Sequence, residues 1–244
     1  MMAPQISPKA VIFDLGDVLF SWSPNTTTTI PVQVMRSILS LPIWIEYECG
    51  RIEQDECYHQ VAQHISVPSS EVAEAFRQAR ESLQPNHTMV SFIRELKEKS
   101  QGALKVYAMS NVSKEDYAFL STKMVDWSVF DRIFTSAYAG MRKPDLEYYR
   151  HVLEETKLAP GEAFFVDDKT INVLAAKSLG IMSILFDETS AVIRTLGNIF
   201  DSPVGRAYEY LYRNTKHFDS ITDSGVVVSD NFARLLILDA TQDW

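Results

Sequence analysis

Residues 10–18 read AVIFDLGDV, and this stretch decides the fold class. Its four leading apolar residues have the length of a short buried strand, and they run directly into Asp14. A turn that contains Gly16 follows at once. The stretch therefore predicts a carboxylate at the carboxyl end of a β-strand, where open α/β sheets bind their ligands.

More apolar runs of strand length follow along the chain: Leu104–Met109, Val129–Phe134, Ala163–Val166 and Met182–Phe186. Amphipathic helical patterns separate the later runs: Lys114–Lys123, Asp145–Thr156 and Asn172–Leu179. Strands that alternate with helices are typical of a parallel sheet covered by helices. The predicted fold class is α/β, with a Rossmann-like parallel sheet and helices on both of its faces.

The gap between the first two predicted strands is too long for a single crossover, and it reads as several helices. These are Val32–Leu39, Pro42–Tyr47, Ile52–Ile65 and Ser70–Ser82, and Met89–Ser100 then leads back to the core as a helix. A helical module inserted here would lie over the carboxyl edge of the sheet, as a lid does. We therefore expect a core of residues 1–22 and 88–200 and an all-helical cap of residues 23–87.

Residues 201–244 are predicted to form a C-terminal helical extension. The pattern indicates a helix over Val204–Lys216, a strand over Gly225–Val228 and a second helix over Asn231–Ala240. Four consecutive aliphatic residues, 235–238, make this last helix apolar nearly all round, so it needs burial on more than one side.

Composition limits the partners that this chain can have. Its net charge of −9 argues against nucleic acid, because binding to the phosphate backbone favours a basic surface. The same charge disfavours an anionic substrate unless a bound metal ion intervenes.

Cys49 and Cys57 imply no disulfide framework, which favours a reducing, cytoplasmic location. No apolar run approaches the length of a membrane span, and the pattern does not indicate an oligomeric state.

Polar residues that can take part in catalysis or ligand binding recur where predicted strands end or helices begin. In chain order they are Asp14, the pair Ser110-Asn111, the pair Lys143-Pro144 and the pair Asp167-Asp168. Lys143 stands just before a predicted helix start, where Pro144 suits the first turn. A parallel sheet would bring all of them to one edge.

This set of residues suits phosphoryl chemistry. A carboxylate such as Asp14 can attack phosphorus and form an acyl-phosphate. Two carboxylates, Asp14 and Asp168, together with a backbone carbonyl, make the hard oxygen site that Mg²⁺ prefers. Ser110 and Asn111 could hydrogen-bond the phosphoryl oxygens, and Lys143 supplies a fixed positive charge beside the transferred group.

The motifs resemble those of the haloacid dehalogenase (HAD) superfamily with a helical cap of the C1 type. The resemblance covers roughly residues 8–190 and rests on these segments: Phe13–Val18, Met109–Asn111, Gly140–Pro144, Phe164–Asp168 and Glu48–Ile52, reinforced by Asn172, Ala175-Ala176 and Gly180. It implies a hydrolase, a phosphatase with a small phosphorylated substrate, whose cap selects the leaving group.

The resemblance also implies individual roles. Asp14 would be the nucleophile and a Mg²⁺ ligand, and the carbonyl of Gly16 would bind the metal. Asp168 would bind magnesium directly, and Asp167 would either bind it or support a ligand. Lys143 would stabilise the charged intermediate. Arg142, beside it, is expected to be an exposed arginine.

One position departs from the family pattern. Phosphatases of this superfamily usually carry an aspartate two residues after the nucleophile, which protonates the leaving oxygen and then activates water. Gly16 can do neither, and Asp17, one residue later, is expected to hydrogen-bond the turn. A leaving group such as that of a sugar-1-phosphate or a diphosphate needs the acid least. Dehalogenases of the superfamily also lack that acid, so a dehalogenase stays open, as does a catalytically weakened scaffold.

Residues 220–244 resemble the linker that follows the HAD-like half of fungal fused drimane-type sesquiterpene synthases. This second resemblance implies a role in terpenoid biosynthesis. The substrate would then be a terpenyl or prenyl phosphate or diphosphate.

Overall fold

A central sheet of five parallel strands organises the computed structural model, which describes residues 8–201. The strands are β1 (Ala10–Phe13), β4 (Lys105–Ser110), β5 (Arg132–Thr135), β6 (Ala163–Asp167) and β7 (Met182–Leu185). Their order across the sheet is β5-β4-β1-β6-β7, and every pairing is parallel. The sequence alternation of strand and helix thus gives the predicted α/β fold, with β1 at the centre.

Helices cover both faces of this sheet. They are α5 (His87–Lys99), α6 (Lys114–Leu120), α7 (Ser136–Ala139), α8 (Leu146–Thr156), α9 (Thr170–Ser178) and α10 (Thr189–Asp201). On one face α5 and α10 pack with Val11 and Phe13 into one apolar cluster. On the other face α8 and α9 pack with Ile12 and Phe165. The central strands are therefore buried on both sides, as expected for a parallel sheet.

Between β1 and α5 the chain forms a helical insertion. It contains α1 (Val32–Ile38), α2 (Pro42–Glu48), α3 (Gln54–Ile65) and α4 (Ser69–Glu81). A two-stranded antiparallel sheet of β2 (Phe20–Ser21) and β3 (Gln84–Pro85) brings the two ends of the insertion together. The insertion has an apolar cluster of its own, in which the ring of Trp44 stacks on Phe76 at a centroid distance of 4.2 Å.

Two local predictions were wrong. The strand predicted over Val129–Phe134 begins only at Arg132, because the Asp126 carboxylate accepts from the Ser128 N–H and caps a 3-10 turn over Trp127–Val129. Pro144 does not stand in the first turn of a helix. It follows a cis peptide bond within a turn, and α8 begins at Leu146 after the N-cap residue Asp145.

The elements predicted beyond residue 201 lie outside the described residues. Among residues 8–201, no helix is both long and apolar enough to cross a membrane.

Candidate active site

The candidate site lies at the carboxyl edge of the sheet, where β1, β4 and β6 end side by side. Phe13, the last residue of β1, pairs with Ala108 on one side and Val166 on the other. The next residue, Asp14, donates its backbone N–H to the carbonyl of Val166 at 2.9 Å. The parallel register therefore sets Asp14 between the ends of β4 and β6, as the sequence predicted.

The Asp14 carboxylate is buried and held by two donors. Its Oδ1 accepts the backbone N–H of Leu15 at 2.7 Å, and its Oδ2 lies 3.0 Å from the Nζ of Lys143. Burial raises the pKa of Asp14 to about 7, Lys143 opposes that shift, and Asp167 and Asp168 add to it. The carboxylate thus stands in surplus negative charge, which a cation would offset.

Lys143 is the one lysine buried among the residues that the structure describes, with 1% of its surface exposed. Its Nζ lies 2.7 Å from Oδ2 of Asp167 as well as close to Asp14. Burial alone would lower the pKa of Lys143, but the two carboxylates outweigh it and raise the pKa. The ammonium group is therefore kept charged between two acids.

Asn111 holds Lys143 in place. Its amide donates from Nδ2 to the Lys143 carbonyl and accepts the Lys143 N–H at Oδ1, both at 2.8 Å. The sequence predicts that Asn111 hydrogen-bonds a phosphoryl group. In the structure its amide makes two hydrogen bonds to the Lys143 backbone, and one N–H of the amide is left for a ligand. Ser110, the last residue of β4, is buried next to it.

The two acids after β6 differ in their surroundings. Asp167 is fully buried, and its oxygens accept from Lys143, from the Asn172 amide at 2.9 and 3.1 Å and from the Lys169 N–H at 2.8 Å. Asp168 pairs with the Lys169 ammonium group. Asp167 therefore has its acceptors filled, while Asp168 keeps room for another ligand.

Asp14, Asp167 and Asp168 have the geometry of a metal site. One oxygen of each lies within 4.8 Å of the other two. Carboxylate oxygens are the ligands that Mg²⁺ prefers, and the surplus charge around Asp14 favours a divalent cation. The residues present fit magnesium, with Asp14 and Asp168 as the better ligands because Asp167 is already bonded.

Gly16 leaves open space beside the nucleophile candidate. It is exposed, and a Cβ built on it would meet no atom within 4 Å. Asp17 is exposed too and has a left-handed backbone with φ of 55°. Its backbone N–H donates to the Phe20 carbonyl at 2.7 Å, which closes the turn.

Arg142 corrects another expectation, since it is not exposed. Its side chain is 19% exposed, and its guanidinium group lies 3.1 Å from the carboxylate of Glu48 at the end of α2. Trp44 also donates to Glu48, at 3.0 Å, and Ser136 donates to the Glu48 carbonyl at 2.6 Å. Glu48, a half-buried acid of the insertion, therefore links the insertion to the residue beside Lys143. The sequence alone could not indicate this pairing.

The turn after Glu48 packs tightly against the core. Gly50 has φ of +67°, and a Cβ on it would lie 2.5 Å from the Ala137 carbonyl oxygen. Arg51 donates to the carbonyl of Gly140 at 3.0 Å. This segment lies within Glu48–Ile52, whose sequence resembles that of C1 caps.

A family model described as haloacid dehalogenase-like hydrolase matches residues 49–186. A second model, described as the sesquiterpene cyclase astC-like C-terminal domain, matches residues 204–244. The second match confirms the terpene-synthase resemblance that residues 220–244 had suggested.

Two fungal proteins are similar over most of this chain. Drimenol cyclase drtB of Aspergillus calidoustus is 43% identical over 235 residues, which is 96% of this chain but 44% of that protein. The chain thus spans less than half the length of that relative. Sesquiterpene phosphatase astK of Aspergillus oryzae is 42% identical over 188 residues, 77% of this chain and 94% of that protein.

Solved structures share the fold at low sequence identity. A HAD family enzyme from Bacteroides thetaiotaomicron, in complex with magnesium and inorganic phosphate, gives a TM-score of 0.60 at 22% identity, covering 76% of this chain and 99% of that one. The L-2-haloacid dehalogenase of Xanthobacter autotrophicus gives a TM-score of 0.56 at 21% identity, covering 81% of this chain and 85% of its own.

Proposed function

The chain belongs to the haloacid dehalogenase-like hydrolase family, and we propose that it is a magnesium-dependent phosphatase of a small organic phosphate. The reaction passes through an aspartyl-phosphate at Asp14. The observation that carries this proposal is the buried Lys143 ammonium group, set 3.0 Å from Asp14 and 2.7 Å from Asp167.

Asp14 acts as the nucleophile. One carboxylate oxygen attacks phosphorus, and the bond from phosphorus to the leaving oxygen breaks as the new bond forms. Water then hydrolyses the acyl-phosphate, which releases inorganic phosphate and returns the carboxylate. Lys143 stabilises the negative charge on the transferred group, and it is effective because its position is fixed before the substrate arrives.

Magnesium would be held by Asp14, Asp168 and the carbonyl of Gly16. It supplies positive charge that offsets both the substrate phosphate and the acidic cluster. Asp167 supports the site through Lys143 and Asn172. Ser110 and the free N–H of Asn111 bind the phosphoryl oxygens.

Residues 23–87 act as the cap over residues 1–22 and 88–200, and they select the leaving group. The Glu48–Arg142 ion pair, which joins the two parts beside Lys143, supports this division. Residues 201–244 are the predicted extension. The similarity to a protein named sesquiterpene phosphatase supports a terpenyl or prenyl phosphate or diphosphate as the substrate. The two free cysteines fit the predicted cytoplasmic location.

A dehalogenase is the second candidate, because Gly16 leaves no acid beside Asp14 and a halide departs without a proton. Metal dependence separates the two reactions. Attack on carbon has no use for the cluster of three carboxylates, whereas phosphoryl transfer uses a divalent cation there.

Phosphate release from a panel of sugar phosphates and terpenyl phosphates, measured with Mg²⁺ and with EDTA, tests the proposal. We expect release from at least one substrate with Mg²⁺ only. Activity that EDTA leaves unchanged would contradict the metal site. No phosphate release from any substrate of the panel would favour a catalytically weakened scaffold.

A further inference from the structure

We propose that the outer side of α9 and the adjoining edge of β7 form a docking surface for residues 231–240 of this same chain, packed there as a helix. Three exposed aliphatic residues define the docking surface: Ile171 and Leu174 of α9 and Leu185 at the end of β7. Residues 231–240 lie outside the described residues, and their sequence predicts a helix.

Two aliphatic side chains of α9 point away from the core. The buried residues Asn172, Val173 and Ala176 turn one side of the helix towards the sheet. On the other side Ile171 and Leu174 are 63% and 58% exposed. Residues three apart on a helix are neighbours on its surface, so these two form one apolar strip. The outer side of a helix in a globular protein ordinarily carries polar residues, and an apolar strip there favours a contact surface.

Leu185 extends this strip from α9 to the edge of the sheet. Side chains alternate between the two faces along a strand. Met182 and Ile184 pack into the apolar cluster that contains α10. On the other face, the Ser183 hydroxyl donates to the Val173 carbonyl in α9 at 3.1 Å. Leu185, two residues after Ser183, therefore lies on the α9 side, where it is 39% exposed.

The two edges of the sheet differ in how they are protected. β5, at one edge, carries Arg132, whose guanidinium group donates to Glu155 at 2.6 Å. β7, at the other edge, reads MSIL and has no charged residue. No strand within residues 8–201 pairs with its outer side. Proteins protect such an edge with charged side chains or cover it with a helix or a loop, so the uncharged edge of β7 favours a cover.

The described part of the chain does not supply that cover. The insertion contacts the core at the other end of the strand order, through Asp116, Ala137 and Arg142, which follow β4 and β5. α10 lies on the opposite face of β7, in the cluster of Met182 and Ile184. The cover therefore has to come from another segment.

Residues 231–240 have the chemistry and the reach for this position. They read NFARLLILDA, and four consecutive aliphatic residues give the predicted helix apolar side chains nearly all round, so it needs burial on two sides. The docking surface offers two walls, the outer side of α9 and the edge of β7. The chain leaves α10 at Asp201, and residues 202–230 can span up to about 100 Å when extended. They can therefore lead from α10 round the edge of β7 to α9.

Disulfide cross-linking in the whole chain tests where residues 231–240 lie. Leu174→Cys is combined in turn with a cysteine at one of the four aliphatic positions of the segment, and each pair is oxidised under mild conditions. Successive residues of a helix point about 100° apart, so we expect a disulfide within one chain in one or two of the four pairs, located by peptide mapping. The native thiols Cys49 and Cys57 are buried and stay out of the reaction. The four partner variants are Leu235→Cys, Leu236→Cys, Ile237→Cys and Leu238→Cys.

Met124→Cys, combined with the same four cysteines, is the matched control. Met124 is 93% exposed but lies in the connection between β4 and β5, at the opposite end of the strand order from β7. It should form no disulfide with the segment. A disulfide in none of the Leu174→Cys pairs, or equal yields in the Met124→Cys pairs, would overturn the proposal. Disulfides only between two molecules would overturn it too, because a second copy would then cover the surface.

A charge placed on the docking surface tests whether the contact is apolar. Leu174 is more than half exposed, so Leu174→Asp remains folded. We expect thermolysin to cut within residues 231–240 roughly tenfold faster in this variant, since cleavage follows the population of the undocked form. Met124→Asp makes the same kind of change at a distance and should leave the rate within about twofold. An unchanged rate in Leu174→Asp, or an equal rise in both variants, would overturn the proposal.

Discussion

The Nζ of Lys143 lies 3.0 Å from Oδ2 of Asp14, and both groups are buried at the end of the central strand. This pair joins a turn more than a hundred residues downstream to the strand that opens the fold. It places a permanent cation beside the group that we propose attacks phosphorus. The electrostatics of the site are therefore fixed before any ligand binds.

Replacing this cation is expected to affect both stability and rate. Lys143→Met keeps the length of the side chain but removes the cation that lies between the Asp14 and Asp167 carboxylates. The free energy of unfolding, measured by urea denaturation, should fall by about 3–5 kcal/mol. kcat should fall by roughly 10²–10³-fold.

Lys169→Met is the control, since that lysine is mostly exposed. This variant should change the free energy of unfolding by less than about 1 kcal/mol. Similar values for the two variants would contradict the special role of Lys143.

Metal binding is expected to depend on Asp168. Asp168→Asn removes one charge from the proposed ligand set, so the Mg²⁺ concentration for half-maximal activity should rise by roughly tenfold, which corresponds to about 1.4 kcal/mol. Asp17→Asn is the matched control: it removes a nearby exposed acid at a backbone conformation that asparagine tolerates. Activity measured against Mg²⁺ concentration in both variants gives this half-maximal concentration. An equal shift in both would indicate a general effect of charge and no ligand at residue 168.

The packing of the insertion against the core can be tested at two glycines with nearly the same backbone. Gly50 and Gly140 have φ of +67° and +69°, but only at Gly50 would a Cβ meet another atom, the Ala137 carbonyl oxygen at 2.5 Å. Both alanine variants bear the cost of the left-handed conformation, about 1–2 kcal/mol. Gly50→Ala should lose at least about 1 kcal/mol more, by urea denaturation, because of the clash. Equal losses would mean that this contact is absent in solution.

The Glu48–Arg142 pair is expected to couple the insertion to the site. A double-mutant cycle of Glu48→Gln and Arg142→Met should give an interaction free energy of roughly 0.5–3 kcal/mol in unfolding. Each single variant should also raise KM, since the pair lies beside Lys143 and orders the proposed cap. An interaction energy indistinguishable from zero would show that the two side chains act independently.

The sequence was sufficient for the five strands of the central sheet and for most of the helices, because apolar runs of strand length and amphipathic patterns carry that information locally. It did not predict the short elements β2, β3 and α7 or the helix α10. It also brought Asp14, Ser110 and Asp168 to one edge, since parallel strands end together. Lys143 reaches the same edge from the turn before α8. The start of β5 was misplaced because the Asp126 cap and its 3-10 turn have no periodic signature.

Interactions between distant residues were not accessible in the same way. Arg142 looks like a surface residue in its own neighbourhood, and only the folded chain brings Glu48 to it across 94 positions of sequence. Asn111 likewise reads as a ligand of phosphate, while its bonds to the Lys143 backbone depend on a turn that the pattern assigned to a helix start.

The most direct test of the central claim is to trap the intermediate on Asp14. The protein is mixed with a hydrolysed substrate and Mg²⁺, quenched in acid within one turnover and treated with borohydride, which reduces an acyl-phosphate to an alcohol. Peptide mapping by mass spectrometry then locates the modified residue. We predict reduction of Asp14 in the wild-type protein and none in Asp14→Asn, which should also lose turnover while remaining folded. Rapid phosphate release with Asp14 unmodified, or an Asp14→Asn variant that keeps most of its rate, would contradict the account.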